Sequence, residues 1–344
     1  MRKYIFKLCL GIFYIPFISY AQDPIFTQFY NLPEALSPAF TGMANTWNMG
    51  LVHRRQWPND QRRIDTQFGF VNNLVTDNIG LGLTLQNHTE DFTNYNFFSA
   101  KAAASYIVEL DYDWRLRFGL EGGLGTKSFG FQGLLLEDQI NINTEQIAGS
   151  TIDPWVLRNT NRLFFMDFGA GVLLDNETTW VGLSVKHLNR PDITFVENGN
   201  VPLDLFFSLH GGYFYEMTGT PSFFLPEGTT FQFVGNYMRQ GQYNRLDVGT
   251  IIDYGAFSFG VMSVVNLERR ATNSHLLTSL NPVATFVLGD FRLGYSFDIN
   301  TSGLPRTGGV HELTLTWITG RNCSKCDNYK MRLKRNGEGG YQRM

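Results

Sequence analysis

The segment DWRLRFGLEG, residues 113–122, alternates without a break: Trp114, Leu116, Phe118 and Leu120 fall on one phase, Asp113, Arg115, Arg117, Gly119 and Glu121 on the other. Successive side chains of an extended chain point to opposite faces, so this is a strand with one greasy and one charged side. FRLGYSFDI, residues 291–299, divides the same way, with Phe291, Leu293, Tyr295, Phe297 and Ile299 opposed to Arg292, Gly294, Ser296 and Asp298. Segments of about ten residues with this period recur along the chain, the pattern of a membrane-spanning β-barrel whose strands show lipid every second side chain. No stretch after residue 21 has the ~18 consecutive apolar residues of a spanning helix. Charged residues are 17%, below the ~25% of soluble proteins. The reading is an all-β, transmembrane antiparallel barrel.

The alternation places strands near 46–55, 62–72, 78–87, 96–107, 113–124, 163–174, 178–187, 204–215, 229–238, 244–253, 256–266, 277–288, 291–300 and 309–319. That makes about 14, an even number as bacterial barrels require, with both termini expected in the periplasm. Connections on one side (175–177, 254–256, 289–290) are very short, and on the other (125–162, 188–203, 267–276) long; 216–228 is a long exception on the short side.

Residues 1–21 have a basic start, an apolar run and small residues at Ser19 and Ala21, the marks of a secretory signal peptide, and Cys9 goes with it. The expected organisation is a signal at 1–21, an irregular N-terminal periplasmic arm or plug at 22–45, a barrel at 46–319 and a short basic periplasmic tail at 320–344. The tail carries seven Lys/Arg against Asp327 and Glu338, so the net charge of −3 conceals an acidic barrel. Nucleic-acid binding finds no support there.

The arm reads QDPIFTQFYNLPEALSPAFTG, residues 22–42. Its three prolines remove backbone donors and break any helix or strand period. Phe26, Phe29, Tyr30 and Phe40 would be costly in water, which points to insertion into or across the periplasmic mouth. Fourteen strands make a lumen that side chains alone do not fill. The charges expected to face it are Arg54, Arg63, Asp65, Arg115, Arg117, Glu121, Asp167, Lys186, Asp247, Arg292, Asp298 and Glu312, a mixed set suited to internal ion pairs rather than to a selectivity ring.

Other motifs carry little chemistry. Ser208 and His210 share a face without an acidic orienting residue, so they read as a lumenal polar pair, not a catalytic dyad. CSKC, Cys323 to Cys326, lacks two further zinc ligands and reads as a local disulfide or two thiols. GLGTKSFG, residues 123–130, lacks a phosphate-loop pattern, and its glycines are expected to ease strand curvature. No cofactor, metal or catalytic residue is expected.

Several stretches nevertheless resemble a known family: the arm itself, RRQWP at 54–58, DFGAGVLL at 167–174, WVGLSVKHLNRPD at 180–192 and HELTL at 311–315. They are similar to the PorP/SprF outer-membrane proteins of Bacteroidota, in order from residue 22 to about 319. The resemblance implies a fourteen-strand-type barrel of the type IX secretion and gliding machinery that binds, anchors or supports secretion of an adhesin-like client. Its implied partners are the client's C-terminal domain, periplasmic or outer-membrane components of the machinery, and outer-membrane lipid. Candidate partner-binding residues are Phe26, Phe29, Tyr30, Phe40, Arg54, Arg55, Trp57, Arg190 and Asp192. The competing reading is a porin or substrate-specific channel.

Overall fold

The computed structural model describes residues 23–319 apart from 59–61, 111–112, 131–136, 142–145, 148–161, 196–198, 218–227, 268–276 and 302–307. The expected signal at 1–21, the tail at 320–344 with Cys323 and Cys326, and most of the loop after residue 128 lie outside the described residues.

The strands are β1 (Asn48–Gln56), β2 (Ile64–Leu74), β3 (Ile79–Glu90), β4 (Tyr95–Glu109), β5 (Arg115–Ser128), β6 (Ile140–Asn141), β7 (Gln146–Ile147), β8 (Arg162–Asp175), β9 (Thr179–Lys186), β10 (Phe206–Glu216), β11 (Thr230–Gln240), β12 (Tyr243–Tyr254), β13 (Phe257–Val265), β14 (Leu277–Leu288), β15 (Phe291–Asn300) and β16 (Val310–Ile318). All but β6 and β7 form one closed cylinder of fourteen antiparallel strands, and β6 and β7 pair with each other inside the long loop. Closure comes from β1 on β16, in a register that sets Arg54 opposite Glu312. Each expected strand has its counterpart, with ends shifted by a few residues.

Closure satisfies the backbone, and alternation then decides which side chains meet lipid. Phe118, Leu120 and Leu124 of β5 are exposed on the outside, Leu120 at 66%, while Arg117 and Glu121 between them are buried. A belt of exposed aromatics marks one end: Tyr106, Trp114, Tyr215, Tyr254, Phe257, Phe286 and Phe291, with Phe291 stacked on Trp317 at 5.9 Å. Rings with a wet edge and an apolar body settle at the membrane interface. This is also the end of the short turns, such as 176–178 and 289–290, and the end where β1 begins and β16 stops. The opposite end carries 129–161 and 187–205, although 91–94 and 241–242 are short there too.

Two of the charges expected in the lumen lie elsewhere. Arg54 points inward, so its neighbour Arg55 points outward, and Arg55 Nε donates to Asp65 Oδ1 at 2.7 Å. Asp65, Arg63 and His53 therefore share the outer face near the loop end, where Arg63 also pairs with Asp91 (2.8 Å). Just beyond the apolar row Leu81, Leu83 and Leu85, that face turns polar, Asn87 donating to Gln67 (2.9 Å). The wall outruns the lipid there, so outward no longer means greasy.

Several inward glycines make room rather than curvature. A β-carbon on Gly119 would lie 2.2 Å from the Ala39 nitrogen, and one on Gly80 2.5 Å from the Thr41 oxygen. Nothing larger than hydrogen fits between those strands and residues 38–42. Gly119→Val is expected to displace this stretch at a cost of about 1–3 kcal/mol while strand content stays the same; equilibrium unfolding in detergent with circular dichroism as the probe checks it.

Candidate functional site: the arm in the lumen

Residues 23–46 lie inside the cylinder. Their prolines allow only short 3-10 turns, Pro33–Ala35 and Pro38–Phe40, the second capped by Ser37 Oγ accepting from Ala39 N at 3.2 Å. Local turns satisfy part of the backbone, but carbonyls such as those of Ala35, Leu36 and Thr41 must find other partners. The wall supplies them. Ser184 Oγ donates to the Leu36 carbonyl (2.7 Å), Lys186 Nζ to Ala35 (2.6 Å) and Ser105 Oγ to Thr41 (2.6 Å), while Asn72 Oδ1 accepts from Gly42 N (3.0 Å).

The tightest attachment falls on the closing seam. Glu312 of β16 accepts from the backbone nitrogens of Thr27 (3.0 Å) and Gln28 (2.7 Å). Arg54 of β1 donates to Glu312 Oε2 (2.9 Å), to Asp298 Oδ2 of β15 (2.7 Å) and to Thr27 Oγ1 (3.0 Å). Thr27 Oγ1 in turn donates to Asp298. One cation and two carboxylates, all buried, are thus completed by two arm residues.

Apolar contacts hold the rest. Phe29, Leu36, Ala39, Phe40 and Met43 pack on Leu173, Trp180, Val234, Ile251, Met262 and Val283; Phe26 and Leu32 pack on Val52, Phe68 and Phe70. Phe40 sits between Trp180 (5.4 Å, edge-on) and His210 (5.6 Å). Ser208 Oγ lies 3.0 Å from His210 Nδ1 and donates to Asn236 Oδ1 (2.8 Å), so the Ser–His pair lines the seat of Phe40.

The arm runs the length of the barrel. Thr46, next to β1, donates to the Thr319 carbonyl at the turn end. Asp23 stands at the loop end: its N–H donates to Gln240 Oε1 (2.8 Å), and its carboxylate meets His187 Nε2 (2.8 Å), whose Nδ1 faces Asp167 (2.8 Å). Asp23, the first described residue, thus lies at the mouth opposite Thr319. Burial opposes the charged His187 ring, but Asp23 and Asp167 outweigh it and hold its pKa up at about 9. Burial likewise works against the Asp23 carboxylate, and His187 overrides it, keeping Asp23 below the usual range.

The candidate residues divide accordingly. Phe26, Phe29, Phe40 and Arg54 are buried between arm and wall, and Tyr30 is half-buried beside Phe29, so none offers a free surface to a partner while the arm is seated. Arg55 and Trp57 lie at the loop end beside β1, and Arg190 and Asp192 lie at the same end after β9, six strands away around the wall. Trp57 and Arg190 have positive φ (54° and 42°), and Asp192 Oδ1 ties its own loop by accepting from Thr194 N (3.0 Å) and Val201 N (2.9 Å). Sequence reasoning missed Asp23, Thr27, Lys101, Asp175, His187 and Arg245. Lys101 pairs with Glu121 and Asp167, Asp175 with Arg115 and Arg117, and Arg245 with Asp247. Lys101 is the one charged residue in FSAKAAAS and shares its phase with Ser99 and Ser105, a signal readable from phase alone.

A closed wall, greasy outside and aromatic-belted, with its own leading segment in the lumen, defines an integral β-barrel of the outer membrane. The chain belongs to a family of such proteins: a sequence profile described as type IX secretion system membrane protein PorP/SprF matches residues 18–317. A search of curated proteins finds no significant match. Structural comparison returns the Acinetobacter baumannii outer membrane protein Omp33 (7% identity, 80% of this chain and 98% of that one, TM-score 0.43) and the TodX deltaS2S3 mutant monoaromatic hydrocarbon channel (8% identity, 78% and 87%, TM-score 0.43). Likenesses this distant say nothing about what the barrel handles.

Two outcomes follow from the attachments. Arg54→Met leaves Glu312 and Asp298 buried without their cation and should cost about 3–5 kcal/mol, part of it regained by adding Glu312→Gln, in guanidinium titrations followed by heat-modifiable gel mobility. His187 binds its proton more tightly with the arm seated, so its contribution is whole below its free value of 6.5 and lost as pH rises through about 9. A nitroxide at Ile25 should therefore gain mobility between pH 7.5 and 10, and His187→Gln should flatten that profile.

Proposed function

We propose that this chain serves the type IX machinery as a docking barrel that binds, anchors or supports secretion of a large adhesin-like client, working through its rims and not by conduction. The observation that carries this reading is the occupied lumen: Gln28, Leu32, Phe29 and Phe40, all arm residues, are almost wholly shut off from solvent. A porin needs that space open. In this reading the turn end, where β1 starts and β16 stops, faces the periplasm and its secretion or gliding components, and the long loops face outward. Arg55, Trp57, Arg190 and Asp192 then form part of the outward docking face. The two positive-φ residues support it, since strained backbone away from glycine is kept where a loop is held to a shape. Gliding itself and the identity of the client as an adhesin come from the family resemblance, and the client's C-terminal domain is the segment proposed to dock.

The full-length barrel in planar bilayers should stay closed, and removal of residues 23–45 should produce steady conductance. Isolation from native outer membranes in mild detergent should bring a large secreted protein with it. A selective single-channel conductance from the intact chain, with no protein companion, would refute the docking reading and favour the porin.

A further inference from the structure

At the loop end a cavity of about 380 Å³ lies between β3, β4, β5, residues 193–195 and 201–203, and the start of the arm. Lys127, the second-last residue of β5, lines it with only 6% of its surface exposed. Its ammonium sits 5.6 Å from the centroid of the Phe97 ring and 5.7 Å from that of Phe165. Among the described residues it has no hydrogen bond and no carboxylate within ion-pair distance; Asp23 and Asp167 attract it only from further off. The other inward cations differ: Arg54, Lys101, Arg115, Arg117 and Arg245 each reach a carboxylate, Lys186 reaches a carbonyl and Arg292 an amide oxygen. Two aromatic faces offset part of the cost of burying an ammonium, but an anionic partner is what such a group ordinarily has.

The rest of the cavity states which anion. Tyr95, Phe129 and Phe195 form a chain of rings 4.9 Å apart, a surface for a flat or branched apolar body. Asp23 and Glu90 also line the cavity, the first held by His187 and the second accepting from Thr93 Oγ1 (2.9 Å). Two carboxylates on the lining disfavour a doubly charged phosphate and leave Lys127 to take a single negative charge. We infer that this cavity binds a carboxylate carried on an aromatic or branched apolar residue, the chemistry of a peptide's last residue or of an acidic side chain next to an apolar one. Only the natural occupant rests on the docking-barrel reading; the binding does not.

The test uses the purified full-length chain in detergent at pH 7.5 with N-acetyl-phenylalanine, its amide, and an end-blocked peptide containing Phe-Asp, titrated by calorimetry and saturation-transfer NMR. The acid should bind about tenfold or more tightly than the amide, as a charge-assisted contact to a desolvated ammonium requires. Lys127→Met should erase that preference without lowering the unfolding midpoint, since it removes a charge that has no partner. Phe129→Leu should weaken acid and amide alike. Whichever of the free acid or the blocked peptide binds more tightly identifies a chain end or a side chain as the source. Equal binding of acid and amide, a preference that survives Lys127→Met, or a strongly destabilised Lys127→Met barrel would overturn the inference. Such a failure leaves co-isolation of a client untouched, and loss of the client in that experiment leaves acid binding untouched.

Discussion

Arg54 stands on the first strand and Glu312 on the last, directly opposite each other in the register that closes the cylinder. Their ion pair crosses the joint between the first and last strands, which no connecting loop brings together. Desolvation makes a lone buried pair of this kind costly, and only a full set of hydrogen bonds offsets it. Asp298 supplies part of the set and the arm supplies the remainder, through two backbone nitrogens and the Thr27 hydroxyl. Arm and seam therefore complete each other: the seam's charges are satisfied by the arm, and the arm's irregular backbone is satisfied by the seam.

The same reciprocity extends down the lumen. A barrel facing lipid on one side and water on the other has no core in the usual sense. Here one exists, made of Phe29, Leu36, Phe40 and Met43 against Trp180, Ile251 and Met262. Inward positions that would be polar in an aqueous channel are apolar where the arm leans on them. Glycines such as Gly119 are absent side chains where it passes closest. This member of the type IX secretion membrane protein family thus fills its lumen with its own chain.

Most of the wall was legible because its signal is local. Two-residue alternation appears within ten residues of sequence and needs no knowledge of partners, so the fourteen strands and most inward charges could be read off. Asp65 and Arg63 face outward despite their charge, because charge means inward only at the depth of the lipid. The arm's composition announced an unusual segment, but its seat depends on which strands face it across the lumen, and no local pattern encodes that distance. A readable hint remained in Phe68 and Phe70, Ile251 and Met262, large apolar residues on the phase that should have been polar. Lys127 stands in a glycine-rich stretch without a phosphate-loop pattern, and its lack of an ion pair shows only once the neighbouring strands are in place.

The direction of the arm has a topological consequence. The barrel encircles a segment of its own chain, which passes Asp23 at one mouth and enters β1 at the other. Tethered there, the arm can be drawn out of the lumen only through the mouth at which β1 starts. Anything bulkier than an extended peptide joined ahead of Asp23 would act as a stopper on the far side, turning a removable bung into a rivet.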